Sequence, residues 1–405
     1  MRTNEEIGVL VEGVLPEVEA FRRDLHAHPE LGFEERRTAA RVLAELGKLS
    51  AFEVQSEVGG TTGVVATIGK NLPGPCLALR ADMDALPLTE LGMVPHASKT
   101  PGKMHACGHD GHTAILVGVA RVLQEIRGEL EGPVKVIFQP AEEGGGGGRV
   151  LRDAGVLREP IVDAVFGLHN MPVPELPEGT LGFRSGPLMA GTASFYVKLR
   201  GRGGHAAAPH QCIDPIVVGS EVVQGLQTIV SRSHDPVKAL VISVTRFNSG
   251  TAQNIIPEEA ELSGTIRALE PSVLDFALKA VDKRVQGIAS AHGVEAEVRF
   301  VRGYPPLLNN ETATGLLHRV AAEIGWTERV REVSPVMGGE DFAYYLEDVP
   351  GAFWFLGAHP GGSEPVPFCH NPAFDFNDRI LFPGITFHVE LARRFARLWP
   401  QVAVG

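Results

Sequence analysis

The stretch "VKVIFQPAEEGGGGG", Val134 to Gly148, carries the reading of the chain. A mostly apolar run reaches Gln139 and stops at a proline; Glu142 and Glu143 follow side by side, then five glycines. A short apolar run with little alternation is the pattern of a strand covered on both faces, as in a parallel sheet between helices. Sheets of that kind gather their sites at the carboxyl ends of their strands. Two adjacent carboxylates at such an end repel one another, and their burial is costly unless a cation offsets it. The glycines permit a tight turn and close backbone approach. No Gly-Lys-Ser/Thr follows them, so they are not a phosphate loop.

The same pattern recurs on either side. "GVVATIG", "CLALRAD" and "AVFGLHN" read as buried strands, and "GHTAILVGVARVLQEI" has helical spacing. A further helical pattern runs from about Pro16 to Leu49. Three prolines in "NMPVPELPEGT", Asn170 to Thr180, mark a boundary or a long loop. Beyond it the pattern changes type. "ASFYVKLRG" and "VEAEVRFVRG" alternate, "KALVISVTRFN" and "AELSGTIRAL" read as strands, and "DPIVVGSEVVQGLQTIVSR" and "PSVLDFALKAVDKRVQGIASAHG" read as helices. Their order, β-α-β-β-α-β, is the split βαβ of a ferredoxin-like α+β sandwich. After "YPPLLNN" come a helix, the strand "AFWFLGA" and a last helix near Thr386 to Trp399. The expected fold is therefore α/β: a large domain, residues 1–182 and 301–405, with a mostly parallel central sheet covered by helices, and an inserted smaller domain, residues 183–300.

The totals narrow the function. A chain of 405 residues can form two domains. With 37 Lys and Arg against 49 Asp and Glu the net charge is −12, which argues against a general nucleic-acid binder but not against an anionic substrate. "MRTNEEIGVLVEGVLPEVEAF" lacks the pattern of a signal peptide, and no apolar run approaches the ~20 residues of a membrane helix. The four cysteines are scattered without a CxxC pair, so a cytoplasmic protein with reduced thiols is expected, with no membrane association.

Polar residues cluster where strands end. "LALRADMDALP" closes in Asp82 and Asp84, and "MHACGHDGHT" sets His105, Cys107, His109, Asp110 and His112 before a helix. "FQPAEE" supplies Glu142 and Glu143, "FGLHN" supplies His169, and "PFCHNPAFDF" supplies Cys369 and His370. Singly, each reads as a cap or a turn residue, and His26, His28, His96, His318 and His388 are read that way. Together they deliver a thiolate, imidazoles and carboxylates to one rim. Such mixed donors suit Zn²⁺ or a similar divalent transition metal. Two ions sharing a thiolate or carboxylate would use more ligands than one tetrahedral site can. A rival reading makes Cys107 a nucleophile with His109 or His112 as its base, but it leaves the acids without a task.

The segments "RADMDALP", "HACGHDGHTA", "FQPAEEGGGGG", "GLHN", "GRGGHAAAPH", "AQNIIPEEAELSGTIR", "GGEDFAYY" and "CHNPAFDF" occur in that order over nearly the whole chain. Together they resemble the M20 metallopeptidase family, in the branch of aminoacylases, hippurate hydrolases and auxin-conjugate amidohydrolases. The resemblance implies a dinuclear catalytic domain and an inserted lid or dimerisation domain. It implies Cys107 as the bridging ligand, with His109, Glu143, His169 and His370 as the others. Glu142 matches the general acid/base, and Asp84 an aspartate that supports a ligand. Asp82 stands where related branches have a metal histidine, so its role is open. His205 matches a histidine placed against the substrate carbonyl in the partner subunit's site, and Asn254 and Arg267 match residues facing the substrate carboxylate.

Two divalent ions per subunit, drawn from zinc, manganese, cobalt and nickel, and a homodimer or homotetramer are expected. The implied activity is metal-dependent cleavage of the amide bond of N-acyl amino acids. A carboxypeptidase or dipeptidase on the same site is the alternative. A non-enzymatic metal-binding protein is a third reading, and Glu142, which pure binding would not need, argues against it.

Overall fold

The computed structural model of the chain describes residues 2–362 and 366–403. Its main strands, in chain order, are β1 (Phe52–Val58), β2 (Gly63–Ile68), β3 (Leu77–Asp82), β4 (Val134–Gln139), β5 (Ala164–Met171), β6 (Leu181–Phe183), β7 (Gly191–Arg200), β8 (Leu240–Ser249), β9 (Glu259–Ala268), β10 (Glu295–Arg302), β11 (Val330–Glu332) and β12 (Gly351–Gly357). The main helices are α1 (Asn4–His26), α2 (Arg36–Leu46), α3 (His109–Glu125), α4 (Gly147–Asp153), α5 (Pro215–Thr228), α6 (Pro271–His292), α7 (Glu311–Glu323) and α8 (Leu381–Ala403). The chain forms two compact units. One comprises Met1–Gly186, Leu308–Ser334 and Asp341–Gly405; the other comprises Pro187–Leu307 and Pro335–Glu340.

The first unit is built on an eight-stranded sheet in the order β1-β2-β4-β3-β5-β12-β6-β11. The pairs β4/β3, β3/β5, β5/β12 and β6/β11 are parallel, and β1/β2, β2/β4 and β12/β6 are antiparallel. Every residue of β2, β3, β4 and β12 is buried, as their near-continuous apolar sequences require. Lys135 is a cation within that run. Its ammonium donates to the carbonyls of Val156, Glu159 and Pro160, which satisfies it inside the protein. Helix α3 packs against α1 and α8, burying Ile115, Leu116, Val119 and Leu123. Each such side chain contributes roughly 1.5–3 kcal/mol on burial.

One expected helix divides in two. The helical pattern near Pro16 to Leu49 is α1 and α2, and α1 starts well before Pro16. Thr3 and Glu6 make a capping box: Glu6 N donates to Thr3 Oγ1 at 3.2 Å, and Thr3 N donates to Glu6 Oε2 at 2.6 Å. "HPELGF" separates the two helices, with Pro29 inside the break and Phe33 at φ +63°.

In the second unit, β7, α5, β8, β9, α6 and β10 follow the β-α-β-β-α-β order. The sheet runs β8-β9-β7-β10, every neighbour antiparallel. Alternation does the sorting: Phe195, Val197 and Leu199 of β7 join Val222, Leu226, Val281 and Val285 of the helices in one core. No helix among the described residues is long and apolar enough to cross a membrane.

Candidate metal centre

The carboxyl ends of β3, β4 and β5 and the start of α3 bring the rim residues of the first unit together. Four groups of donor atoms drawn wholly from the first unit, each within 4.8 Å of one another, involve them: Cys107, His109 and His169; Cys107, Glu143 and His370; His109, Glu142 and Glu143; and Asp82, His109 and His112. Cys107 belongs to two of these, so a single thiolate can serve two neighbouring cations.

The orientation of the donors fits a metal. His169 donates from Nδ1 to the carbonyl of Asn170 at 2.7 Å, which leaves Nε2 as the lone-pair nitrogen, 3.3 Å from Cys107 Sγ. Burial, and secondarily the ring of His112, push its pKa down to about 3, so the ring is a neutral donor. Asp84 lies 3.2 Å from His109 Nδ1 through Oδ1, and its Oδ2 accepts from the backbone N–H of Glu143 at 2.9 Å. One carboxylate thereby orients two candidate ligands, the supporting arrangement that metal-binding histidines use. His109 Nε2 is buried without a hydrogen-bond partner, and Glu143 Oε1 lies 3.1 Å from His370 Nε2. Buried polar atoms are rarely left as His109 Nε2 is, and a cation would satisfy it.

Glu142 and Glu143 diverge. Glu143 faces His370, whereas Glu142 Oε1 lies 3.4 Å from the backbone N–H of Asp341. The turn that separates them depends on Ala141, at φ +54°, and on the glycines. Gly144 has φ +91°, and a Cβ on Gly147 would stand 1.7 Å from the carbonyl oxygen of Pro140. The run is thus required by handedness at Gly144 and Gly146 and by backbone contact at Gly147 and Gly148.

Asp82 is engaged elsewhere. Its Oδ2 accepts from Arg80 at 2.7 Å and its Oδ1 lies 2.7 Å from His112 Nδ1. The other nitrogen of His112 meets Asn170 Oδ1 at 2.7 Å, so both ring nitrogens are taken. Arg80 also donates to Asp341 and to Gln139, at 2.8 and 2.9 Å. Burial pushes the Asp341 carboxyl up to about 6, opposed by Arg80 and by the N–H of Gly148. The neighbouring Cys369, and then burial, raise the Cys107 thiol above its ordinary value.

His205, Asn254 and Arg267 lie in the second unit. His205 is exposed on a two-residue strand opposite Ile255, and the N–H of Ala206 donates to the carbonyl of Asn254 at 3.0 Å. Arg267 stands on β9, half-buried, and among the described residues no carboxylate lies within ion-pair range of it. Arg80, Asn170 and Asp341 also build the site and were not among the residues the sequence singled out. The signal was the presence of Arg80 and Asn170 inside "RADMD" and "LHN", beside Asp82 and His169, and of Asp341 inside the family segment "GGEDFAYY".

Comparison with known proteins agrees with this architecture. Residues 78–394 match the family described as Peptidase family M20/M25/M40, and the chain belongs to that family. It is 41% identical over 372 residues to the N-acetylcysteine deacetylase of Bacillus subtilis (strain 168), covering 92% of this chain and 95% of that one. It is 44% identical over 308 residues to the N-acyl-L-amino acid amidohydrolase of Geobacillus stearothermophilus, covering 76% and 82%. Among solved structures, the Bacillus subtilis YXEP protein, described as a dinuclear metal binding peptidase from the M20 family, superposes with TM-score 0.82 at 36% identity, covering 95% and 99%.

Proposed function

We propose that this chain hydrolyses the amide bond of small N-acyl amino acids with two divalent metal ions, held by Cys107, His109, Glu143, His169 and His370. The observation that carries the reading is the divergence of the adjacent acids, one toward His370 and one toward the Asp341 amide. The names of the two relatives, a deacetylase of N-acetylcysteine and an N-acyl-L-amino acid amidohydrolase, support the substrate class. Bound divalent ions supply water of lowered pKa and a polarised carbonyl. Glu142 accepts the proton at its carboxylate and returns it to the leaving amine. Asp84 keeps His109 and the Glu143 backbone in place. In this reading His205 stabilises the oxyanion, and Arg267, with Asn254, takes the substrate carboxylate. A half-buried arginine with no carboxylate in ion-pair range among the described residues supports that role. Zinc, manganese, cobalt and nickel all suit the donors; the assembly is a homodimer or homotetramer in the cytoplasm.

Glu142→Gln is expected to abolish turnover while the metal content of the purified protein stays near wild type, and Glu143→Ala to lose metal. Equal metal loss in both variants would sink the division of roles. His205→Ala is expected to keep its metal and lose kcat. A panel of N-acetyl and N-benzoyl amino acids against dipeptides and longer peptides separates the amidohydrolase from the peptidase reading, which the family's description favours. Metal-loaded protein inert toward every amide in the panel would revive the non-enzymatic reading.

A further inference from the structure

Glu35 has no part in the reaction just described, yet it is fully buried in the first unit and among the described residues forms no ion pair. It occupies the N-cap of α2 but makes no side-chain cap to that helix. Its carboxylate turns away instead. Oε1 accepts from the backbone N–H of Ala141 at 2.8 Å, and Oε2 accepts from the hydroxyl of Thr62 at 2.6 Å. Burial, the largest influence, pushes this carboxyl up to about 7. A buried carboxylate without a cation is costly to keep, so the two donors that converge on it matter.

Ala141 is where the chain turns after β4. It is fully buried and left-handed, at φ +54°, a conformation that residues with a Cβ rarely adopt. Such a backbone persists only where surrounding contacts over-determine it. Glu35 supplies one: it binds the N–H of the strained residue itself. The close packing of Gly32 supplies another, since a Cβ on Gly32 would stand 3.0 Å from that of Ala141. The residues that follow are Glu142 and Glu143, whose divergence depends on this turn.

We propose that Glu35 is a positioning residue for Glu142, locking the left-handed Ala141 peptide so that the two acids leave the strand in different directions. The inference rests on the reading of Glu142 as the proton carrier. It predicts a split that a general structural role would not produce. Glu35→Ala, and Glu35→Asp should the first fold poorly, lower kcat on the order of tenfold to a hundredfold, as small misplacements of reacting groups do. KM stays within about twofold, because substrate binding is untouched. Metal content is unchanged, and amide hydrogen exchange across residues 140–147 becomes faster. Glu35→Gln retains an acceptor for Ala141 N–H, and the Thr62 hydroxyl can rotate to accept from the new amide, so this variant recovers most of both readouts.

Unchanged kcat and unchanged exchange in Glu35→Ala overturn the proposal, as does metal loss in parallel with activity, or a Glu35→Gln variant as impaired as Glu35→Ala. The exchange measurement is independent of chemistry. If Glu142→Gln keeps full turnover, the role of Glu142 is wrong, and the exchange across 140–147 still decides whether Glu35 holds the turn.

Discussion

Replacing His26 by glutamine, and following the stability difference against pH, probes the charge cluster packed behind the start of α3. His26 is fully buried, with Nδ1 2.8 Å from Asp110 Oδ2 and Nε2 3.4 Å from Glu90 Oε1. Arg22 approaches the same Asp110 oxygen at 3.6 Å. Burial disfavours the imidazolium, but Asp110, by charge and hydrogen bond, and then Glu90 outweigh it, raising the pKa from 6.5 to about 9. A pKa raised by folding stabilises the native state in full below the unfolded value, and that stabilisation disappears as pH rises through the folded value. At about 1.4 kcal/mol for each pH unit, the interval from 6.5 to about 9 corresponds to about 3 kcal/mol. Glutamine can donate to Asp110 but cannot titrate. Urea unfolding of the metal-loaded wild type and of His26→Gln, from about pH 6 to about pH 10, isolates this contribution because other titrating groups cancel in the difference. The wild type's advantage should shrink by about 3 kcal/mol across that range, with most of the change above the ordinary histidine pKa of 6.5. A difference that is independent of pH, or that grows with pH, refutes the assignment of a charged His26.

Three further outcomes follow from the geometry. Asp84→Ala removes the partner of His109 Nδ1 and of the Glu143 N–H, and should weaken metal binding roughly 10–100-fold in competition with a chromophoric chelator; unaltered affinity contradicts the supporting role. Gly147→Ala drives a Cβ into the Pro140 carbonyl and should displace the turn and abolish turnover, whereas Gly144→Ala, with open space around it, should cost only about 1–2 kcal/mol of stability by chemical denaturation. Stripping the protein with a chelator should end hydrolysis and lower Tm, with both restored by a divalent transition metal and not by calcium; activity that resists chelation but not thiol alkylation would favour the cysteine reading.

Much of the fold was legible because burial leaves a local mark. The strands β2, β3, β4 and β12 are apolar nearly throughout, and they are the strands covered on both faces. The period-2 runs of β7 and β10 gave away a sheet with one covered face. The helix near Pro16 was less legible, because a proline within a helical pattern reads as a start, while the true start lies in the Thr3–Glu6 capping box. His26 was read as a cap or turn residue, and nothing local could correct that, since its partner Asp110 is 84 positions away.

The sequence by itself determined which donors reach the rim and that two acids leave β4 together, and the family resemblance assigned the proton to Glu142 and the ion to Glu143. It could not show how the two are held apart. Their separation involves Asp84, which is 59 positions from Glu143, and the Asp341 amide, which is 199 positions from Glu142. The same holds for Asp82, which sequence left open and which Arg80 and His112 occupy. Periodicity records whether a residue is covered, because burial acts on each side chain where it stands. A hydrogen bond or a shared cation requires particular atoms from distant segments to meet within a few ångströms, and only the packed sheet and helices bring them there.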